Sequence, residues 1–314
     1  MTLKKLIFFL ILFSFLANVS GQVTDAEKQL RAQSADTVAG WRKGGITSIT
    51  LAQTSLTNWA AGGENSVAAN GILSLFANYK KEKIVWDNSL DLGYGLLKQA
   101  KDKKPKKTDD KLEVLSKFGY KAFENVYYSA LLSLKTQMDK GYAYPNDSVS
   151  ISGLFAPAYL LAAAGLDYKP SAYLSMFISP LTSRTTIVND SRLSSLGAFG
   201  VEPGKKAREE LGGYLRLIYS KNDFKTEFLK NIAFTTKLDL FSNYLDKPQN
   251  VDVNWETLIV MKVNKLISVN LNLNLVYDDN TKVPVDRNND GVKEGTGVRT
   301  QFKEIFGAGL SFKF

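Results

Sequence analysis

Large parts of this chain alternate apolar and polar residues with a period of two. Residues 269–275 are the clearest case, because Val or Leu occupies every odd position and Asn every even one. Successive side chains of a β-strand point to opposite faces, so this segment presents aliphatic groups on one face and amides on the other. A chain built from such segments must place its apolar faces against a hydrophobic core or against lipid.

The alternation recurs often enough for the strands to be counted. It is clear in residues 84–96, 126–137, 224–240 and 251–263, whereas residues 151–164 are almost wholly apolar and carry no usable alternation. An even number of long alternating segments is typical of a transmembrane β-barrel. The twelve predicted strands span residues 44–57, 66–81, 83–99, 110–122, 126–138, 151–164, 167–181, 207–221, 224–241, 251–264, 266–278 and 298–314.

The connections between the predicted strands alternate in length along the chain. A barrel with short periplasmic turns and long extracellular loops produces this order, whereas a secreted β-sandwich has no reason to segregate its loops. We therefore predict an all-β fold, a transmembrane antiparallel β-barrel of about 12 strands. The tight connections lie around residues 81–83, 122–126, 164–168, 221–224 and 264–266. The long, polar connections are residues 58–65, 100–109, 139–150, 182–206, 242–250 and 279–297.

The mean hydropathy of -0.15 resembles that of a soluble protein. In a membrane barrel, however, each strand averages a lipid-facing parity with a lumen-facing one, so a value near zero is expected. After the N-terminal segment, the sequence contains no run of 18 or more consecutive apolar residues, and it therefore predicts no transmembrane helix there.

The N-terminus has the order of a secretory signal peptide. Lys4 and Lys5 precede an apolar run over residues 6–16, which is too short to cross a bilayer as a helix. We predict cleavage near Gln22, which lowers the net charge from +9 to +7 because both lysines are removed. An uncleaved anchor is the alternative. A lipoprotein signal is excluded, because it requires a cysteine and the chain has none.

These features divide the chain into three predicted parts. Residues 1–21 are the signal peptide, residues 22–43 an N-terminal periplasmic segment and residues 44–314 the outer-membrane barrel. The polar start of the second part, residues 22–39, is predicted to be a short helix or a disordered lead, with a lumen plug as the alternative.

The C-terminal segment places large apolar residues on one parity and ends on an aromatic one. This ending resembles the terminal signature by which outer-membrane barrels are recognised for insertion, so we predict a contact between the strand that ends at Phe314 and the barrel-assembly machinery. The other predicted partners are outer-membrane lipids, lipopolysaccharide and a surface lipoprotein of unknown identity. The residues that share the apolar parity are Phe302, Phe306, Leu310, Phe312 and Phe314.

Four sequence blocks resemble a family of secreted Bacteroidetes proteins that is grouped as a domain of unknown function (DUF). The blocks are residues 40–45, 55–66, 241–245 and 248–256, and the resemblance extends from about Trp41 to the C-terminus. It implies an outer-membrane β-barrel in a Gram-negative envelope. It brings no established activity and no catalytic residues.

The chain contains no histidine and no cysteine, which removes several classes of chemistry. Catalysis by Ser-His-Asp or Cys-His groups, imidazole metal sites, zinc-thiolate sites and disulfides are all excluded. No Gly-x-Ser-x-Gly motif is present either. We therefore predict that the protein is not an enzyme and that it needs no cofactor.

The parity opposite the apolar one supplies candidate lumen-lining residues of both charge signs. They favour a hydrated or salt-bridged lumen that satisfies its own charges, with a narrow pore that selects solutes by charge as the alternative. Twelve strands lie between the eight that side chains fill and the sixteen that leave an aqueous channel, so the strand number leaves pore width open. The candidates are Asp87, Asp91, Glu113, Lys117, Lys135, Arg216, Glu227, Lys237, Asp239, Asp252, Glu256, Lys262, Arg299 and Lys303.

Two long loops carry features of their own. Residues 182–206 are predicted to form either an inward constriction or plug, or an ordinary surface loop. Residues 100–109 contain five lysines, which are typical of a solvated face, with contact to lipopolysaccharide phosphates as the alternative. Nucleic acid is not an expected partner, because these basic residues lie in one short loop of an exported chain.

A weak calcium motif and four tryptophans complete the candidates. Asp286, Asn288 and Asp290 alternate before a glycine, as in calcium loops, but an EF-hand would need Glu where this chain has Gly297. An Asn/Asp-rich turn is therefore the favoured interpretation. The tryptophans are predicted to form part of an aromatic belt at the membrane boundary rather than a sugar-binding platform. They are Trp41, Trp59, Trp86 and Trp255.

The sequence supports two functions. The slightly favoured one is a narrow channel or transporter for small solutes in the outer membrane. The alternative is a closed barrel that serves as a structural element or as a partner-binding module of an envelope complex.

Overall fold

The computed structural model describes residues 39–57, 64–171, 173–221, 223–264, 267–285 and 295–313. The predicted signal peptide and most of the predicted periplasmic segment lie outside these residues. The first eight strands are β1 (Gly40–Thr54), β2 (Ser66–Lys81), β3 (Ile84–Gln99), β4 (Lys106–Phe123), β5 (Val126–Thr136), β6 (Gly141–Tyr142), β7 (Ser150–Ser152) and β8 (Ala158–Tyr168). The other eight are β9 (Leu174–Ile187), β10 (Ala207–Lys221), β11 (Ile232–Asn243), β12 (Val251–Lys262), β13 (Ile267–Tyr277), β14 (Lys282–Val285), β15 (Gly295–Val298) and β16 (Gln301–Lys313). Helix α1 (Ser191–Ser195) and a 3-10 turn (Ala198–Gly200) lie between β9 and β10.

Twelve of these strands form one closed barrel. Its order around the ring is β1-β16-β13-β12-β11-β10-β9-β8-β5-β4-β3-β2, and every neighbouring pair is antiparallel. The first and last strands close it, with Ile46 opposite Lys313 and Thr50 opposite Gly309. Closure leaves no unpaired edge in the barrel sheet, whereas β6 with β7 and β14 with β15 form two separate two-stranded sheets. The predicted all-β fold, an antiparallel barrel of about 12 strands, is confirmed.

The alternation in the sequence corresponds to the two faces of the barrel wall. On β12, Trp255 is 43% exposed on the outer face, whereas its neighbour Glu256 contacts lysines inside the barrel. On the inner face Asn274 of β13 donates a hydrogen bond of 3.1 Å to Asn254 of β12. The Val/Leu and Asn parities of residues 269–275 therefore belong to the outer and inner faces respectively.

Short and long connections lie at opposite ends of the barrel. The short-turn end has the connections 82–83, 124–125, 169–173, 222–231 and 263–266. The long-loop end has residues 55–65, 100–105, 137–157, 188–206, 244–250 and 278–300. The strict length alternation breaks at one place, because residues 222–231 are more numerous than residues 244–250.

Two adjacent strands lie later in the chain than predicted. The predicted segments 151–164 and 167–181 correspond to β8 and β9, which begin at Ala158 and Leu174. The apolar residues before β8 belong to the loop at the long-loop end instead of to a strand. There Ala156 packs in a buried cluster with Val188, Leu193 and Val201. An unbroken apolar run has no period that separates a strand from such a cluster.

The strand predicted over residues 224–241 also begins later, at Ile232. Residues 226–231 form a turn, and Phe228 in that turn is 85% exposed. By contrast, β1 begins earlier than predicted, at Gly40 rather than at residue 44. The turn shares the parity pattern of the strand that follows it, so alternation alone does not mark where the strand starts.

Irregular pairing bends the wall between β8 and β10. The register shifts between Ala164 and Leu166 on β8 and again between Gly212 and Tyr214 on β10. Pro180 lies at the first shift, where it has no ladder hydrogen bond to donate. A Cβ atom on Gly165 would overlap the carbonyl oxygen of Ile178, so this bulge requires a glycine.

Among the described residues, no helix has the length and apolar character needed to cross a membrane.

Candidate functional site in the barrel lumen

Glu256 joins opposite walls of the barrel at mid-height. Its carboxylate lies 3.1 Å from Lys111 Nζ, 3.2 Å from Lys135 Nζ and 3.7 Å from Lys237 Nζ. Strand β12, which carries Glu256, and β4, which carries Lys111, are six positions apart in the twelve-strand ring. One carboxylate therefore links side chains across the full width of the lumen.

A second set of contacts continues from Lys111. Its ammonium group lies 2.9 Å from Glu113, and Arg216 lies 3.9 Å from Glu113 and 3.5 Å from Asp239. The Tyr214 hydroxyl donates a hydrogen bond of 2.5 Å to Asp239. We call Lys111, Glu113, Lys135, Tyr214, Arg216, Lys237, Asp239 and Glu256 the central network.

The central network is close to electrically neutral. Its four cations, Lys111, Lys135, Arg216 and Lys237, face three carboxylates, and Asp91 beside Glu113 in the register adds a fourth. Asp91 also accepts a hydrogen bond from Ser74. Buried charges are tolerated best when they are paired and hydrogen-bonded. Every charged group of the central network lies within 4 Å of an opposite charge, although Glu113 Oε2 and Arg216 Nε are buried without a hydrogen-bond partner.

An apolar cluster lies inside the lumen against this network. Leu131, Ala163, Phe177, Tyr214 and Phe241 are buried together, on strands β5, β8, β9, β10 and β11. The rings of Phe177 and Tyr214 meet edge to face with centroids 6.2 Å apart. Tyr214 thus belongs to both groups, with its ring in the apolar cluster and its hydroxyl in the central network.

A second charged group, the short-turn cluster, lies toward the short-turn end. Lys117 is 2.6 Å from Asp167, and Lys169 is 2.8 Å from Asp87 and 3.5 Å from Asp167. Ser175 donates a hydrogen bond of 2.8 Å to Asp167. Two lysines and two aspartates again balance in charge.

A third group, the long-loop cluster, lies at the other end. Arg184 binds Glu210 through two hydrogen bonds of 2.9 and 2.8 Å and lies 2.6 Å from Asp252. Arg208 lies 3.0 Å from Glu210, so two arginines face two carboxylates. The Arg184 guanidinium also stacks 4.1 Å from the Phe241 ring centroid.

Folded loops lie next to the long-loop cluster. Within residues 188–206, Val188, Leu193 and Val201 are buried in one cluster. Arg208 donates a hydrogen bond of 3.2 Å to the Gly200 carbonyl, and a Cβ on Gly200 would lie 3.0 Å from the Asn280 carbonyl oxygen. Residues 182–187, part of the predicted loop, belong to β9, while the remainder packs against the segment that follows β13.

A nearby carboxylate at the same end is held by the loop backbone. Asp139 accepts hydrogen bonds from the Lys140 amide at 2.7 Å and from the Tyr94 hydroxyl at 2.9 Å. These hydrogen bonds, the backbone one above all, lower the pKa of Asp139 below its ordinary value.

The structure brings most of the candidate lumen residues into these groups. Asp87 and Lys117 lie in the short-turn cluster, and Asp252 lies in the long-loop cluster. Lys303 pairs with Asp109 of β4 at 2.8 Å, and Lys262 ends β12 half-buried. The candidates in or beside the central network are Asp91, Glu113, Lys135, Arg216, Lys237, Asp239 and Glu256.

The predicted lumen positions of two residues are wrong. Glu227 lies in the turn before β11, with a side chain that is 86% exposed and paired with Lys230. Arg299 lies exposed between β15 and β16, and donates a hydrogen bond to the Val298 carbonyl beside it. Both errors come from extending a strand parity beyond the real start of the strand.

Several site residues were not predicted from the sequence, for two different reasons. Lys111 and Glu210 share the parity of predicted neighbours on their own strands, so a usable signal was present. Arg184 and Asp167 had no such signal, because the misplaced β8 and β9 put Arg184 in a loop and moved Asp167 to another strand. The apolar cluster was also missed, since a polar interior was expected.

The lysine-rich loop is partly neutralised. Lys101 pairs with Glu64, Lys106 lies 2.6 Å from Asp102, and Lys107 lies 2.7 Å from Asp110. The calcium candidates Asp286, Asn288 and Asp290 lie outside the described residues. Within the described ranges, no group of three or more acidic side chains is placed to hold a metal ion.

Residues 51–142 match the model of a family described as a protein of unknown function, DUF3078. This match covers less than half of the chain. It includes the whole of the block 55–66, whereas the blocks at 40–45, 241–245 and 248–256 lie outside it. No curated protein matches the chain.

Solved structures similar to this chain include three barrels. The COG4313 outer membrane channel from Pseudomonas putida F1 is 10% identical with a TM-score of 0.40, covering 89% of this chain and 97% of that chain. The translocator domain of the autotransporter NalP from Neisseria meningitidis is 11% identical with a TM-score of 0.38, covering 95% and 100%. The Pseudomonas putida toluene transporter TodX is 10% identical with a TM-score of 0.29, covering 94% and 95%. Similarities at these TM-scores carry no conclusion about what this chain binds or transports.

Proposed function

We propose that this chain is an integral β-barrel protein of the outer membrane whose lumen is closed to the free passage of solutes. The observation that carries this proposal is the bridge at Glu256, which lies within 3.7 Å of lysines on three different strands, one of them on the opposite wall. The barrel then acts as a membrane-embedded support for its folded long-loop end. Its export through the segment 1–21 is part of the same proposal.

The charge balance supports a closed lumen over a selective pore. A pore that selects ions presents charged side chains of one sign that are free to interact with the ion. Here each of the three charged groups pairs its cations with nearly the same number of carboxylates. Breaking such a buried pair leaves an uncompensated charge, so the bridges resist opening.

The outer face of the barrel supports the membrane location. Large apolar side chains are exposed there on many strands, among them Leu132, Leu181 and Phe306, each at least half exposed. A soluble protein rarely exposes a continuous apolar surface around its whole circumference. Lipid acyl chains cover that apolar surface in the proposed location. The backbone N–H and C=O groups of the strands need no partner from the lipid, because they pair with each other around the closed ring.

Conductance in planar bilayers tests the closed lumen. We expect the purified wild-type chain to insert without stable unitary currents. The double variant Lys111→Ser with Glu256→Ser removes the bridge while keeping the net charge, and we expect it to show currents. A control double variant, Glu227→Ser with Lys230→Ser, removes an exposed pair at the short-turn end and should remain silent.

The outcomes separate the two functions that the sequence leaves open. Regular currents from the wild-type chain would overturn the closed lumen and establish the channel for small solutes. Heat-modifiable gel migration, recorded on each preparation, shows that a silent preparation contains a folded barrel.

A further inference from the structure

Short side chains line the lumen on β11, β12 and β13 near the short-turn end, and they are almost fully buried. Ala233 is 3% exposed, Val260 is 3% exposed and Ser268 is 0% exposed. Ala233 lies opposite Val260 in the register, and Ser268 lies opposite Lys262, so these positions share the inward parity of Glu256. We call Ala233, Thr235, Val260 and Ser268 the short wall.

The width of the barrel makes this burial informative. Neither of the two buried apolar clusters contains a residue of the short wall. Twelve strands about 4.8 Å apart enclose a backbone diameter of at least about 18 Å, and short side chains cannot meet across it. Lys237, the next inward residue after Thr235, extends toward Glu256 at mid-height. Other groups in the lumen must therefore cover the short wall.

The lumen at the short-turn end also carries an excess of positive charge. Among the described residues there, six cations lie on the inner face against two carboxylates, Asp87 and Asp167, which gives a net charge of +4. Both carboxylates already bind lysines of the short-turn cluster. A positive cleft of this kind favours an occupant with acidic side chains. The six cations are Arg42, Lys80, Lys117, Lys121, Lys169 and Lys262.

The chain enters the barrel at the same end. Gly40, the first residue of β1, lies opposite Lys80, next to the short-turn end of β2. Gly40 has a φ of +111°, which glycine adopts readily and other residues rarely do, so the chain can turn sharply there. The preceding residues 22–38 lie outside the described residues. As a helix they would be about 26 Å long and about 10 Å wide, which fits a lumen of this size.

We propose that residues 22–38 enter the lumen from the short-turn end and cover the short wall. Val23, Ala26 and Leu30 recur at helical spacing and supply a small apolar face toward it. Three carboxylates of the segment outnumber its two cationic side chains, which suits the positive end of the lumen. The carboxylates are Asp25, Glu27 and Asp36, and the cations are Lys28 and Arg31.

Attachment to β1 favours this segment over a free ligand of similar chemistry. A short tether holds the segment at the mouth of the lumen at an effective concentration on the order of millimolar. The proposal rests on the export and the closed barrel proposed above, and it adds a second group that fills the lumen.

Disulfide cross-linking tests this position, because the chain has no cysteine of its own. Ser268→Cys places a thiol on the short wall, and residues 29–32 are replaced by Cys one at a time, which samples every side of a helical turn. A disulfide requires Cβ atoms about 3.5–4.5 Å apart, so we expect at least one of the four pairs to cross-link on oxidation with Cu(II)-phenanthroline. The matched control partner is Glu227→Cys, in the exposed turn before β11, which should not cross-link.

Conductance provides a second readout. Deletion of residues 22–38 alone should leave the barrel silent, because the bridge at Glu256 remains. In the Lys111→Ser, Glu256→Ser variant, the same deletion should enlarge the unitary current roughly 1.5-fold, the area that a helix about 10 Å wide takes from a lumen about 18 Å wide.

The outcomes separate this proposal from the closed barrel. Cross-links to Glu227→Cys but not to Ser268→Cys would place the segment outside the lumen and overturn the proposal. Absence of every Ser268→Cys cross-link in a preparation with heat-modifiable migration, or an unchanged current on deletion, would also overturn it. Currents from the wild-type chain together with a Ser268→Cys cross-link would overturn the closed lumen alone and leave the segment in place.

Discussion

The inner and outer faces of the barrel wall are built from the same strands but obey different rules. Inside, charged side chains are buried and nearly every one is held by a partner on another strand, as Glu256 is by Lys111 and Lys135. Outside, large apolar side chains such as Leu132 and Trp255 are exposed. Adjacent positions on one strand therefore tolerate opposite chemistry, and a shift of one residue in register would exchange the two faces.

The two faces of the wall are stabilised by different interactions. The inner face depends on specific pairs, because an unpaired charge in a buried setting is costly. In the proposed membrane location, the outer face depends on the surrounding lipid and on apolar character rather than on any particular contact. Substitutions on the two faces should therefore differ in size and in what rescues them.

Glu256→Gln should have the largest effect, because it removes the carboxylate shared by three lysines. We expect the free energy of unfolding to fall by about 3–5 kcal/mol, the range for breaking a buried ion pair. Urea unfolding of the chain in lipid vesicles, followed by tryptophan fluorescence, measures it. Adding Lys111→Met should recover part of the loss, whereas Glu227→Gln, at an exposed turn, should change nothing measurable. A loss no greater than that of Glu227→Gln would show that the bridge does not stabilise the barrel.

Leu132→Arg tests the outer face in the same assay. A charged side chain on the lipid face costs about 2–4 kcal/mol near the middle of the bilayer. Leu132 is 52% exposed on β5, so Leu132→Phe, which stays apolar, is the matched control and should be nearly neutral. If arginine and phenylalanine have equal effects at this position, the outer face is not in contact with lipid.

Lys303→Gln should have the smallest effect. The Lys303–Asp109 pair is 2.8 Å long, but the lysine side chain is 47% exposed, so solvent screens it. We expect a loss of about 0.2–1 kcal/mol that diminishes at high salt, measured as the unfolding midpoint at two ionic strengths. A salt-independent loss as large as that of Glu256→Gln would instead place this pair in the closed interior.

The regular part of the fold was predictable because strand parity is a local property. Residues 251–263 and 269–275 identify β12 and β13 and the face of each side chain, since the period of two follows from backbone geometry. The strands β8 and β9 were displaced because the apolar stretch before Ala158 packs into the loop cluster with Val188 and Leu193. That packing partner lies more than thirty residues further along the chain, and no local period reports it.

The candidate site, like the fold, has one feature that the sequence predicts and another that it does not. Parity predicts which residues face inward, and the structure brings three of the residues predicted in this way together, Glu113, Lys237 and Glu256. Which cation meets which carboxylate depends on the closure of the ring, on its shear and on the width that twelve strands enclose. Lys111 and Glu256 are 145 residues apart in sequence, and only the closed barrel places their charged groups 3.1 Å apart. Local alternation thus determines the two faces of the wall, whereas the bridging of the lumen is a property of the tertiary structure, because it requires opposite walls to be held at a fixed distance.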